Sequence, residues 1–363
     1  MKSPNIEKEK YNKRVTKAEG YKLAPWLILF FSVALFVIVL FFSISAGSIG
    51  FSPVQTLKVL ANLLFGVGDI SNIPDNSVTI ILDIRLPRAL LAAMVGAALS
   101  LSGAAMQGLL KNSLADGSTL GVASGGTLGA ILAIAFNINL SFIPGSGVVI
   151  MSILFSFLSL VLILYLSYKI DYNLSTQTII LMGIIFTMLI NSINSLIVSL
   201  SGESLKQVVF WTMGSFSGRG WSHVFLMLPL FIIATVILLA LSRELDAFSL
   251  GEEQAGYIGV NTKIVKFLIL ILVSVLVGVS VAVSGTIGFV GLVIPHITRF
   301  ITGPNHKKLM VYSVLFGASF LMATDLLSRT IMSPAELPIG VVTSLIGALI
   351  FIYIFFKKSK HRI

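Results

Sequence analysis

Long apolar stretches, each ended by a short polar or glycine-rich interval, run through almost the whole chain. A helix needs about 20 apolar residues to cross the hydrocarbon of a bilayer. Ten stretches approach that length, near 26–46, 88–111, 119–136, 148–168, 177–200, 223–241, 264–284, 287–302, 309–328 and 337–356. The seventh and eighth share one apolar segment. No charge lies between Lys266 and Arg299, which is too long for one span and short for two, and SGTIG at 284–288 supplies the break. The pattern predicts an all-α polytopic membrane protein of about ten transmembrane helices. It forms a single transmembrane domain over 26–356, with a basic tail at 1–25 and a short tail at 357–363. The first run ends in small residues near Ala46, as a cleaved signal does, but its length suits an uncleaved first helix.

Composition agrees. Of 363 residues, 56% are hydrophobic and 11% charged, and the mean hydropathy is +0.99. A soluble domain cannot bury that much apolar surface. The formal charge of +10 is explained by topology. With both termini in the cytoplasm, 19 of the 25 Lys and Arg fall on the inner side and six on the outer side. Inner loops of membrane proteins collect such residues, so nucleic acid is not needed as a partner; membrane lipid is. There is no cysteine, which excludes disulfides, thiolate metal sites and a lipid-modified Cys. His223, His296, His306 and His361 have no metal-ligand spacing, and nothing calls for a metal or cofactor.

Two patterns concern packing. Small residues recur every fourth position in the second span (Ala92, Gly96, Ser100, Ala104, Gly108) and the third (Gly121, Gly125, Gly129, Ala133). Such stripes let helix backbones approach closely in lipid. VGAALSLSG at 95–103 is echoed by VGVSVAVSG at 277–285, in spans that cross in opposite directions. That is the arrangement of an inverted internal repeat, common in transporters.

Polar residues inside the spans are few. Asp325 is the one carboxylate well within an apolar run, with Arg329 one helical turn later, where a local ion pair is expected. Asn191, Asn194 and Ser195 put polar atoms on the fifth span, either lining a path or bonding to a neighbouring helix. No G-x-x-x-x-G-K-[ST] occurs, so the chain hydrolyses no nucleotide on that pattern and is not itself read as an enzyme. The lack of a mid-membrane carboxylate or histidine relay weakens an ion-coupled secondary transporter. The largest cytoplasmic connection, SRELDAFSLGEEQAGYIGVNTK at 242–263, mixes large apolar residues with acids and breaks at glycines. Two small helices with an apolar and acidic face would make a docking surface there.

Several long motifs, in order from about residue 80 onward, carry a resemblance. They are RLPRALLAAMVGAALSLSGAAMQG, LADGSTLGVASGG, FWTMGSFSGRGW, FSLGEEQAGYIGV, SGTIGFVGLVIPHITR and SPAELPIGVVTSLIGA. The chain resembles the membrane permease of ATP-binding-cassette importers for iron–siderophore complexes, haem and cobalamin. In KNSLADG, Ser113 and Gly117 stand where that family commonly has prolines. The resemblance implies a multi-pass protein of a bacterial cell membrane and a dimeric permease with an identical or paralogous second subunit. It also implies cytoplasmic ATP-binding subunits and an extracytoplasmic substrate-binding protein. It places ATPase coupling on the 242–263 loop, with Glu244, Phe248, Leu250, Gly251, Glu252, Glu253 and Gly259 as its residues. It assigns Arg85, Arg88 and Arg329 to docking of the binding protein, where a planar guanidinium suits a carboxylate. Snorkelling to the interface is the plainer role for these arginines. The expected cargo is an iron(III)–siderophore complex, with haem and cobalamin as alternatives.

Overall fold

In a computed structural model the described residues are 24–47, 50–138 and 146–360. The expected tails fall largely outside them, at 1–23 and 361–363. The described chain is helical throughout, without strands. Among the described residues, seven helices are long and apolar enough to cross a membrane, and three apolar helices are shorter. Together these ten coincide with the ten stretches read from the sequence.

The helices are α1 (Pro25–Ser45), α2 (Pro53–Phe65), α3 (Asp75–Thr79), α4 (Leu86–Leu109), α5 (Val122–Ala135), α6 (Ser146–Ile170) and α7 (Thr176–Leu200). There follow α8 (Leu205–Thr212), α9 (Trp221–Ala240), α10 (Ser242–Leu250), α11 (Glu252–Tyr257), α12 (Thr262–Ser284), α13 (Val290–Thr302), α14 (His306–Thr330) and α15 (Ile339–Lys360). Two helices escaped the hydrophobic pattern, because neither spans. One is α2, begun by Pro53 and a Ser52–Gln55 capping box and ended by left-handed Gly66. The other is α8. The second span does not open at Pro87, where a proline after Arg85 would favour a helix start. Instead the helix is already under way from Asp75, and a π-helical segment, Ile80–Arg85, runs into Pro87. Proline brings no N–H to an ordinary α-turn, and the wider turn accommodates that.

Burial sorts the bundle. The most apolar window of the α4 span is 89% buried within the chain and that of α1 only 17%. Thus α4 and α12 form the centre, while α1, α7 and α9 present apolar faces outward. The small-residue stripes serve close packing. Added methyls at Gly96 and Gly317 would collide with each other's backbones across α4 and α14, and one at Gly103 with the carbonyl of Gly291. A methyl at Gly129 would strike the backbone of Met151, and Gly125 lies against Ser159, both on α6. In lipid such contact replaces the hydrophobic drive available in water. As neighbours, α4 packs on α14 and α13, while α12 packs on α6 and α5; α5 also packs on α6 and α7, and α13 on α14 and α15.

Candidate functional site: a central cavity, its outer seal and two charged ends

A cavity of about 900 Å³ is set into one face of the bundle, walled by α5, α7, α12, the 284–291 crossing and the start of α15, with exposed Asn191, Ser195 and Leu345 at its open side. Its wall is mostly apolar, with Leu99, Ile131, Met213, Ile287, Phe289 and Leu345 in it, and hydroxyls, amides and glycines are set among these side chains. The sequence candidates Asn191, Asn194 and Ser195 all line it, with Thr127, Ser280 and Ser344. Asn194 is buried and its Oδ1 lacks a partner. Ser195 turns its hydroxyl back to the carbonyl of Asn191 at 2.9 Å.

Among the described residues of that wall, the ionisable side chain is Asp116. Sequence reading passed over it because it sits between spans. The chain re-enters the bundle here, so that Gly117 lies against Val277 and Ser102, and Gly121 against Ile163 and Gly183. Its Oδ1 accepts from the backbone N–H groups of Ser118 (3.1 Å) and Thr119 (3.2 Å) and from the Ser118 hydroxyl (2.7 Å). The carboxylate thereby caps the short helical turn Gly117–Leu120. Sequence analysis expected no carboxylate within the bundle other than Asp325, and Asp116 corrects that expectation.

One end of the cavity is closed by three crossing segments. The backbone N–H of Ser215 donates to the carbonyl of Ser284 at 2.8 Å, Ile339 to Gly214 at 3.1 Å and Gly340 to Met213 at 3.0 Å. The Thr286 hydroxyl donates to the carbonyl of Thr212. The crossing is glycine-dependent. Gly214 and Gly285 both have φ near +70°, and a methyl on Gly340 would press into the carbonyls of Met213 and Thr286. Nothing in the isolated motifs FWTMGS, SGTIG and ELPIG announced that they meet. Beyond this seal, burial pulls the Arg219 guanidinium below its ordinary pKa.

At this same end of the bundle, the three arginines are gathered, and they are buried. Arg85, Arg88 and Arg329 are 5%, 8% and 5% exposed in the chain. Arg88 grips Asp325, with Nη2 at 2.9 Å and Nε at 3.2 Å from the carboxylate, and reaches both oxygens of Glu336 at 3.0 Å. Arg329 pairs with the same Asp325, Nε to Oδ2 at 3.1 Å, as the four-residue spacing anticipated, and donates to the carbonyl of Ser43 at 2.9 Å. Arg85 donates to the carbonyls of Ser45 (2.7 Å) and Ile44 (3.1 Å) and lies 4.5 Å above the Phe51 ring. These side chains pin α1, α4, α14 and the 331–338 loop together. They do not snorkel outward.

At the opposite end of the bundle, the 242–263 connection forms the two small helices expected, α10 and α11, turning at Gly251 with φ of 137°. Gly259, with φ of 95°, ends the second. The expected outward face needs one correction. Phe248 is buried with Leu245, so it anchors α10 to the bundle. The exposed apolar residues are Leu250, Tyr257 and Ile258, beside exposed Glu253. Glu252 pairs with buried Lys266, whose Nζ also donates to the carbonyl of Leu174 at 3.0 Å. The Glu244 Oε2 is shielded without a partner. Asp246, which sequence analysis did not single out, accepts from the His306 backbone N–H at 2.9 Å and from Asn305 Nδ2 at 3.1 Å; its Oδ1 lies 2.6 Å from His306 Nδ1. The 242–263 segment is therefore tied to the starts of α12 and α14. Among the described residues, no three His, Asp or Glu converge as metal ligands.

Residues 35–357 match the model of the FecCD transport family. The chain belongs to that family. It is 43% identical over 339 residues to the uncharacterized ABC transporter permease protein YvrB of Bacillus subtilis, covering 93% of this chain and 95% of the relative. It is 36% identical to the cobalamin import system permease protein BtuC of Halobacterium salinarum, covering 83% and 78% of the two chains. It is also 36% identical to the molybdate import system permease protein MolB of Haemophilus influenzae, covering 92% and 96%. A solved structure described as an inward-facing conformation of a metal-chelate type ABC transporter superposes with a TM-score of 0.80 at 34% identity, covering 92% of this chain and 100% of that one. The FecCD chain is thus a permease subunit of the ABC importer class and a multi-pass membrane protein.

Proposed function

We propose that this FecCD permease carries intact iron(III)–siderophore complexes in a binding-protein-dependent importer driven by ATP on separate subunits. The observation that supports the cargo reading is the cavity. Its volume of about 900 Å³ lies within the ~300–1,000 Å³ typical of sites for drug-sized ligands. Its largely apolar wall, with hydroxyls and amides set into it, suits a bulky organic chelate. The described wall offers no cationic side chain to a small bare anion. Cobalamin is the second cargo reading, favoured by the named relative.

The remaining parts follow the geometry. Leu250, Glu253, Tyr257 and Ile258 meet the ATPase subunit, Phe248 and Glu252 hold that face in place, and Gly251 and Gly259 shape it. Glu244 supports the same helix. Arg85, Arg88 and Arg329 form the outer docking end, held in place by Asp325, Glu336 and the carbonyls at 43–45. A second permease subunit closes the path opposite Asn191, Asn194 and Ser195. Both termini lie in the cytoplasm of a bacterial cell. The inverted repeat is part of the same reading: exchanging α4–α7 with α12–α15 turns each neighbour pair, such as α4 with α14, into another observed pair, α12 with α6. Spin-label distances from an outward-open state test it, since that state should reproduce this structure with the two halves exchanged.

Asp116 is the observation that favours a different class, an ion-coupled transporter. Its hydrogen bonds to Ser118 and Thr119 already give it a capping role that needs no proton traffic. Uptake of radiolabelled iron by a deletion strain, with siderophores, haem and cobalamin supplied separately, tests the proposal. Selective loss of one siderophore class supports it; retained iron uptake together with lost cobalamin uptake would replace the cargo.

A further inference from the structure

Just outside the seal lies a second cavity, of about 390 Å³, whose wall shares Ser284 with the central one. It is built from the FWTMGSFSGRGW run and the Glu336–Pro338 turn. Two of its donors are shielded from solvent and lack an acceptor: the indole Nε1 of Trp211 and Nε of Arg219. Buried donors without acceptors are rare in folded proteins, and each requires an account. Arg219 Nη1 is 3.3 Å from His223 Nε2, so the guanidinium is held from one side with Nε left over. The one carboxylate in the wall, Glu336, is occupied by Arg88, and no acceptor in the described structure reaches either donor. The Ser215 hydroxyl accepts from the Ser217 N–H at 3.0 Å, which leaves its own proton to donate.

We infer that this outer cavity is a receiving site for the cargo, in which Arg219 and Trp211 hold the metal-binding oxygens of a hydroxamate, catecholate or carboxylate chelate before the seal opens. Position supports the assignment, because only the backbone crossing at 213–215, 284–286 and 339–340 separates it from the central cavity. Chemistry supports it too. A guanidinium and an indole N–H are pure donors, and the outer face of an iron chelate of this class is rich in acceptor oxygens. The inference rests on the importer reading, and its test is therefore independent of transport.

The test is binding of radiolabelled iron(III) trihydroxamate to the permease–ATPase complex in nanodiscs, by equilibrium dialysis, in the wild type and in R219Q, R219K and W211F. Loss of a charged hydrogen bond should weaken binding about tenfold in R219Q. R219K, which keeps the charge, should fall between, and W211F, which keeps the ring without the N–H, should weaken binding several-fold. Thermal melting of each variant checks the fold; if R219Q unfolds, W211F carries the test. Equal affinity in all four proteins overturns the receiving site. So does absence of binding by both this probe and an iron(III) triscatecholate. In either case cellular uptake still decides the importer reading on its own.

Discussion

The backbone N–H of Ser215 meets the carbonyl of Ser284 at 2.8 Å, joining the turn before α9 to the last residue of α12. With the Gly214–Ile339 and Met213–Gly340 backbone bonds and the Thr286 hydroxyl, it closes one end of the central cavity. Backbone contacts at this spacing leave no room for side chains, so substitution should open the seal. Gly340→Val presses on the carbonyls of Met213 and Thr286 and should cost about 1–3 kcal/mol, the usual scale of overpacking. The chain contains no cysteine, so a Ser284→Cys reporter is unambiguous. Labelling of that cysteine by a membrane-impermeant maleimide added outside should rise in the Gly340→Val background. Unchanged labelling would show that the crossing is not the barrier.

Asp325 is fully buried between Arg88 and Arg329. Removing it leaves two buried guanidinium groups with less compensation. Breaking a buried pair in this way typically costs about 3–5 kcal/mol. Asp325→Ala should therefore lower the melting temperature and the yield, while Thr330→Ala, at an exposed hydroxyl nearby, should do neither. Equal stability of the two variants would remove the cluster from the folding account.

Burial also changes how docking must be tested. Reversing Arg88 to Glu would set three carboxylates together and confound folding with binding. Arg85 donates chiefly to backbone carbonyls, so Arg85→Gln is the milder probe. It should weaken association with the binding protein roughly tenfold, the scale of one charged contact, and keep normal expression. Surface-plasmon titration at two salt concentrations measures this, and an unchanged affinity would exclude Arg85 from docking.

Helix α10 separates two roles two residues apart. Phe248 is buried and Leu250 is 66% exposed. Phe248→Ala should destabilise the permease by about 3–5 kcal/mol. Leu250→Glu should leave melting unchanged and abolish stimulation of the ATPase subunits. A stable, fully coupled Leu250→Glu would exclude this face.

The hydrophobic pattern carried most of the fold, because a span advertises itself by length and needs no partner to be recognised. Even the short α5 and α13 were legible as apolar runs. What could not be read was anything made by meeting segments. The Asp325–Arg329 pair was visible as a four-residue spacing; the Arg88–Asp325 pair, 237 positions apart, was not. Asp116 and Trp211 lie in stretches that look like loops or span ends, and only re-entry of the chain carries them to a cavity wall. Phe248 illustrates the reverse error: a two-residue offset from Leu250 on a helix puts it on the opposite face.

The most direct test is reconstitution of the permease with its ATPase subunits and binding protein in proteoliposomes, following entry of radiolabelled iron(III) trihydroxamate. Uptake should require ATP on the ATPase side and persist when a protonophore collapses the gradient. Uptake that proceeds without ATP and stops with the protonophore would contradict the account, and would point to Asp116 as the coupling group.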